Sequence, residues 1–328
     1  MQCRHHSFRD IRTALSAVCS LLCATSCATA PPRRAVAPLP LPPELAAYYD
    51  YPHTPHQSTA QLLKTQRAFT ESLVRFPLSA AGFEPTEPVV EFEWFESRKA
   101  GRRPAILLNP ILGGDYPLER GIARFFAQRG FHVALVHRKT LKISPDQPVE
   151  HIERLLRQGV VRIRQVVDWM ETNERVDATR LGSFGISMGG IASVVTAAVE
   201  PRLRCHVVVL AGGSIADILM TSRDRLLTKP RARYLAANHL DQQMLERLLR
   251  ERIKTDPIRL APYVDPQSLF MVLALRDRTI GYANSRRLWE ALRRPKHMTI
   301  LAGHYTAYLY LPYLKHISLR FFRDRLGA

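Results

Sequence analysis

The sequence is short of cysteine, of lysine and of acidic side chains, and each shortage excludes something. Five cysteines occur in 328 residues, and four of them (Cys3, Cys19, Cys23 and Cys27) fall in the first stretch of the chain. The remaining body holds Cys205 alone, so no internal disulfide braces it and the fold must stand on its apolar core. Cys205 lies in the strand-like run CHVVVLAGG and reads as a small buried hydrophobe. No internal repeat is present, and the one low-complexity stretch is proline-rich, which argues against solenoids and arrays. No pair of histidines shares a helical face with a carboxylate at metal-ligand spacing, so neither a metal nor a cofactor is expected. Asp and Glu number 29 against 47 Lys and Arg, giving a formal charge of +18, with arginine far outnumbering lysine. The basic residues are scattered rather than interleaved with aromatics, apart from concentrations at 223–233 and 286–296. That pattern reads as an arginine-rich surface. With no zinc-finger spacing or other nucleic-acid module, no nucleic-acid partner is expected. Contact with an anionic membrane surface is the other use of such charge. The composition, 46% hydrophobic and 23% charged, suffices for one large domain or two small ones.

What is present begins with a targeting pattern. Arg4, Arg9 and Arg12 precede an apolar run at 13–26 (TALSAVCSLLCATS), too short to span a bilayer comfortably. With a small residue before Cys27, the segment resembles a bacterial lipoprotein signal, cleaved and lipidated at that cysteine. Cys19 and Cys23 follow the bulkier Val18 and Leu22 and fit less well. An ordinary signal peptide cut near Ala30 is the alternative. Residues 31–43 (PPRRAVAPLPLPP) then read as a stiff extended spacer. The expected organisation is a signal peptide at 1–26, a proline-rich linker at 27–56 and a folded body at 57–328. The expected location is the bacterial cell envelope, anchored by lipid and facing the periplasm, with a soluble periplasmic or secreted protein as the alternative.

In the body, residues 57–75 place Leu62, Leu63, Phe69 and Leu73 at helical spacing, and 89–95 alternate like a strand. A short apolar run at 105–108 ends in Asn109-Pro110-Ile111-Leu112-Gly113-Gly114. Helix is predicted at 118–129 and strand at 131–136. A long amphipathic helix follows at 151–172, carrying Ile152, Leu156, Val160, Ile163, Val167 and Met170 at three- and four-residue steps. Strand, helix and strand come next at 180–184, 188–199 and 205–210. The same rhythm returns at 269–275, 283–292 and 297–301, with a last helix at 307–325. Strands alternating with helices predict an α/β fold, a mostly parallel central sheet flanked by helices. The charged helical run at 213–262 breaks the rhythm and reads as a helical cap insertion, with ordinary crossover helices as the alternative.

Chemistry concentrates at Gly185-Ile186-Ser187-Met188-Gly189. Between a predicted strand and a predicted helix, small residues on both sides of a serine allow a sharp turn that exposes its hydroxyl above the sheet. The helix N-terminus behind it offers the Met188 amide to a developing oxyanion. The alternative is a small polar residue in a glycine-rich bend. The stretch VVDWMETNERVDATRLGSFGISMGG resembles the nucleophile-elbow region of the α/β-hydrolase superfamily, most closely its dienelactone-hydrolase-like and peptidase- or esterase-like branches. That resemblance implies an acid and then a histidine further along the chain. LFMVLALRDRTIGYANS is similar to the acid-bearing strand and loop and points to Asp277, with Asp265 and Asp256 less well placed. MTILAGHYTAY is similar to the last strand and its histidine loop and points to His304. His132, His137 and His206 sit in or beside apolar runs and read as structural. The resemblance also implies a second oxyanion donor just after Asn109-Pro110, at Ile111 or at Leu112, because Pro110 has no N–H. Gly113 and Gly114 let that loop come close, and Asp115, Tyr116 and the cap are expected to shape the pocket.

The expectation is a serine hydrolase cleaving acyl bonds, most simply carboxylic esters of small molecules or lipids, through a Ser187-His304-Asp277 triad and an acyl-enzyme. The alternatives are an acyltransferase on the same fold and a non-catalytic envelope binding protein. Membrane partnership is expected through an anchor at Cys27.

Overall fold

Among the described residues, nine strands form one sheet. The architecture is taken from a computed structural model that describes residues 37–53, 57–80, 82–113, 115–138 and 144–327. The signal-like segment, Cys27, the start of the proline-rich stretch and Gly114 lie outside the described residues. β4 (Arg103–Asn109), β5 (His132–Val136), β6 (Val176–Ile186), β7 (Leu203–Val209), β8 (Leu269–Ala274) and β9 (Lys296–Ile300) are mutually parallel. β1 (Thr59–Thr65), β2 (Phe69–Pro77) and β3 (Val89–Ser97) add an antiparallel flank to β5, giving the order β1-β2-β3-β5-β4-β6-β7-β8-β9.

β5 and β8 are buried along their whole length because helices cover both faces. β4 shows how the strand period divides its side chains. Ile106 and Leu108 join one core with Ile122 and Phe126 of α2 (Pro117–Ala127) and Leu314 and Phe322 of α10 (Leu311–Leu326). Ala105 and Leu107 face the other way, onto Val166 and Val167 of α3 (Val149–Thr172). α4 (Met188–Val199) and α9 (Tyr282–Ala291) cover the same face as α3, through Val194 and Leu288.

The predicted helix at 57–75 is corrected: this segment is the β1–β2 hairpin, closed by Gln66 N–H donating to Phe69 O at 2.9 Å. Leu62 and Leu63 created the false helical period. They lie on an edge strand whose every residue is exposed, while Phe69, Val74 and Phe76 of β2 carry the burial. The second half of the expected linker at 27–56 also differs. α1 (Pro43–Tyr48) and the residues after it fold against the body, with Tyr49 fully buried. Tyr49 donates to Thr255 Oγ1 at 3.1 Å, Tyr48 to Glu153 Oε1 at 2.8 Å and Tyr51 to Asp168 Oδ2 at 2.7 Å. Tyrosines supply apolar rings and a polar tip together, which holds a segment that prolines alone would leave extended.

Between β7 and β8 lie α5 (Ile215–Thr221), α6 (Arg225–Ala237), α7 (Gln242–Arg252) and the short α8 (Pro257–Leu260). Each opens on a capping side chain, from Ser214, Asp224, Asp241 and Asp256 in turn, that accepts an amide of its first turn. Ile218 of α5 and Leu245 and Leu249 of α7 pack on Ile152 and Leu156 of α3, so the cap roofs the sheet through an apolar seam. Among the described residues, no helix is long and apolar enough to cross a membrane.

Two stability outcomes follow from this packing. Tyr49→Ala is expected to cost about 3 kcal/mol, the lower end for deleting a buried aromatic, read from urea unfolding. A cost near zero would show that α1 is not seated on the body. His206 of β7 is buried and lies 2.8 Å through Nδ1 from Ser183 Oγ. Burial pushes its imidazole down from the ordinary 6.5 to about 4. The folded state thus resists a proton that the unfolded chain accepts. That contribution is complete above pH 6.5 and fades as pH falls towards 4. The urea midpoint should therefore drop across that window, and less steeply in His206→Gln. Equal slopes in both proteins would remove His206 as the cause.

Candidate active site

β6 runs into α4 through Ser187, whose backbone is held at φ 56°, ψ −119°. A positive φ at a residue with a Cβ is uncommon and has to be enforced. Ser187 N–H donates to Val209 O of β7 at 2.8 Å, and Ile191 N–H donates back to Ser187 O at 3.0 Å. A Cβ on Gly185 would stand 2.1 Å from Gly189 O, and one on Gly189 would stand 2.2 Å from Asn109 O. Only glycine fits at these two places, because strand, turn and helix cross in contact. The hydroxyl of Ser187 is thereby presented at the N-terminus of α4.

The loop after β8 brings in Asp277, which is buried. Its Oδ1 accepts the amides of Thr279 at 2.8 Å and Ile280 at 3.0 Å, which fixes the carboxylate plane. Its Oδ2 lies 2.8 Å from His304 Nδ1. His304 follows β9, and its Nε2 lies 3.0 Å from Ser187 Oγ. Three residues far apart in sequence thus form one hydrogen-bonded chain. In this arrangement the imidazole can take the serine proton on Nε2 while the carboxylate holds Nδ1–H. Asp256 and Asp265, the other acids considered, instead cap helices: Asp256 accepts from Ile215 and Ile258 amides, and Asp265 from that of Gln267.

Met188, the residue after the serine, lines the cavity above it with Ile111 and Leu112. Ile111 is engaged elsewhere: its N–H donates to Glu119 Oε1 of α2 at 2.8 Å. The loop is pinned from a second side by Arg138, whose Nη2 donates to Ile111 O at 2.7 Å and Pro110 O at 3.2 Å. Arg138 is half-buried, and the protein packed around its guanidinium lowers it to about 10. Tyr116 donates its hydroxyl to Arg138 O at 2.7 Å and accepts Arg138 N–H at 3.0 Å. Asn109 Nδ2 donates to Ser193 Oγ of α4 at 2.9 Å, tying the end of β4 to the helix behind the serine.

Sequence reasoning missed Glu119 and Arg138, because nothing in PLERGIARFFA or in VHRKT marks a residue that will reach a loop elsewhere in the chain. It also missed Asp224. This residue caps α6 through Leu226 N–H at 2.9 Å, and its Oδ2 accepts from Tyr305 Oη at 2.5 Å and Thr279 Oγ1 at 2.7 Å. One carboxylate therefore joins the cap to the loops that carry His304 and Asp277. Burial opposes its ionisation, but the hydrogen bonds from Tyr305, Leu226 and Thr279 outweigh that and hold it below the ordinary carboxylate range. A signal existed in SRDRLL, where an aspartate precedes a helical run, but it marks only the cap.

Ser187 and His304 open into a cavity of about 640 Å³. Its walls come from α3, α4, α5 and α6 on one side, and from α2, α10 and the His304 loop on the other.

The family model of the prolyl oligopeptidase family (peptidase S9) matches residues 120–320. No curated protein matches the chain. Among solved structures, acetyl xylan esterase 1 from Thermoanaerobacterium sp. JW/SL YS485 is similar with a TM-score of 0.64 at 15% identity, over 86% of this chain and 95% of that one. A cold-adapted esterase from an Arctic intertidal metagenomic library gives a TM-score of 0.55 at 12% identity, over 80% of this chain and 97% of the other. The acylaminoacyl peptidase of Pyrococcus horikoshii gives 0.56 at 12% identity, over 79% of this chain and 41% of that longer one. At such identities the likeness concerns the fold. The family match takes in the serine turn and the loops of Asp277 and His304, and the chain belongs to the prolyl oligopeptidase family, with the α/β-hydrolase fold.

Proposed function

We propose that this protein is a serine hydrolase that cleaves carboxylic esters through an acyl-enzyme. The observation that carries the reading is the unbroken chain from Asp277 through His304 to Ser187, at 2.8 and 3.0 Å, at the foot of an open cavity. A serine hydroxyl is a weak nucleophile until a base removes its proton. His304 Nε2 takes that proton as Ser187 Oγ bonds to the ester carbonyl carbon. The carbonyl oxygen becomes an oxyanion facing the Met188 amide at the positive end of α4. As the tetrahedral species collapses, His304 returns the proton to the departing alkoxide and the acyl group stays on Ser187. Water then attacks with the same base, and the acid leaves. Asp277 keeps Nδ1 protonated throughout, so that Nε2 is the basic nitrogen. Peptide bonds would follow the same steps. The apolar cavity wall offers few partners for peptide groups, and that favours the ester.

For the second oxyanion donor, the reading moves from Ile111 to Leu112. The Ile111 amide is held by Glu119, while Leu112 borders the same cavity. Glu119 is then a positioning residue that sets the loop.

A fluorophosphonate probe should label the wild type and leave Ser187→Ala unlabelled. Asp277→Asn should lose about 10³–10⁴-fold in kcat on an activated ester. Labelling of the alanine variant, or an unlabelled wild type that is folded, would sink the reading. For Glu119, alanine should lower kcat by about 10²-fold, comparable with loss of one oxyanion donor. Glutamine still presents an acceptor and should keep most of the activity. A rise in kcat for Glu119→Ala would instead mean that Glu119 withholds the Ile111 amide from the hole.

A further inference from the structure

The substrate class can be read from the cavity, and this step rests on the serine-hydrolase reading above. At ~30 Å³ per water, 640 Å³ holds about twenty water molecules. An acetyl group would displace about three of them, although two solved structures of similar fold are named acetyl xylan esterases. The lining is correspondingly unsuited to a sugar. Among the described residues, Arg233 is its only side chain with a full charge outside the reacting residues. The hydroxyls of Thr279 and Tyr305 are committed to Asp224. A hydroxyl-rich ligand would leave its polar groups unpaired against aliphatic walls, which disfavours it.

The cavity has two unlike sides. Beneath the cap, Leu156 of α3 and Ile218 and Leu219 of α5 are buried, and Leu227 of α6 is half-buried. Across from them, the rim residues Tyr305 and Tyr308 are 63% and 67% exposed and Leu226 in the first turn of α6 is 60% exposed, so the cavity opens to solvent at the His304 loop and the start of α6. This asymmetry suits the reaction: the acyl chain stays on Ser187 under the cap while the alcohol leaves and water arrives by the open side. A chain of about ten carbons, each given about the 30 Å³ of a water molecule, would fill about half of the 640 Å³.

We propose that the enzyme acts on esters of medium- to long-chain aliphatic acids, with the acyl chain under α5 and α6 against Leu156, Ile218, Leu219 and Leu227. Catalytic efficiency then grows with chain length, because each methylene that leaves water in the transition state adds up to about fourfold.

The test is a series of p-nitrophenyl esters, from acetate through butyrate and octanoate to decanoate, below their aggregation limits. The full chain and its Ser187→Ala variant are compared. The expected result is a Ser187-dependent kcat/KM at least 100-fold higher for octanoate or decanoate than for acetate. Ile218→Trp should lower the decanoate-to-acetate ratio at least tenfold by filling the arm. Leu227→Trp, at a less buried site, should shift the ratio the same way if the first variant folds poorly. A Ser187-dependent series that is flat or best with acetate overturns the acyl-chain proposal and leaves the serine-hydrolase reading standing. Ratios unmoved in both folded tryptophan variants also overturn it. If no ester in the series is turned over in a Ser187-dependent way, the reading itself falls, and the proposal with it.

Discussion

A serine held at φ 56° costs on the order of 1–3 kcal/mol in backbone strain, and the central strands exist in the register that enforces it. Ser187 N–H reaches Val209 O only if β6 and β7 end together, and their parallel ladder runs to the Ile186–Val209 pair. Gly189 meets Asn109 O only if β4 ends beside them, and the β4–β6 ladder ends at Asn109 opposite Gly185. Three strand ends therefore determine one turn. The turn in turn orients a hydroxyl and the first amide of α4 at the same point. A substitution that relaxed the turn would gain local stability and lose this alignment, the usual conflict at a strained functional site.

The groups that act on Ser187 are placed by the same sheet edge but held by a different device. Asp277 and His304 follow adjacent strands, β8 and β9, so their approach comes from parallel neighbours ending at one level. What fixes their loops is Asp224, reaching down from the start of α6 to Thr279 and Tyr305. The cap is thus mechanically joined to the reacting residues as well as roofing the cavity. On the opposite side of the serine, Glu119 and Arg138 hold the Ile111 amide and carbonyl. Both loops that flank the reacting carbon are set by charged groups from outside the sheet, a arrangement suited to electrostatic preorganisation.

The parallel part of the fold was legible because β5 and β8 are buried on both faces and read as continuous apolar runs, and because α3 is long enough for its period to show. The hairpin was not, since exposed Leu62 and Leu63 on an edge strand imitate a helical stripe and only the pairing with β3 reveals the true period. The serine turn was legible through its glycines, whose absence of a Cβ is a local necessity. Asp277 and His304 were found through a family resemblance, and the structure brings them within hydrogen-bonding reach of each other and of the serine. Asp224, Glu119 and Arg138 were illegible for a physical reason: each acts through a contact between distant segments, and no local pattern marks such a contact.

Specificity lives in what is added to the sheet. Ser187, Asp277 and His304 all stand on strand ends, where this fold can carry them whatever the substrate. The deep wall of the cavity is supplied by α3 and by the helices between β7 and β8, joined through Ile152, Leu156, Ile218 and Leu249. Apart from Arg233, those helices line the cavity with apolar residues, so the same segment that raises the basic charge also builds an aliphatic interior. On the proposed reading, replacing this insert would change which acid fits without moving Ser187, Asp277 or His304. Solved structures of similar fold carry the names of acetyl xylan esterases and of an acylaminoacyl peptidase, so the shared sheet sets no single substrate and the insert is where this chain can differ.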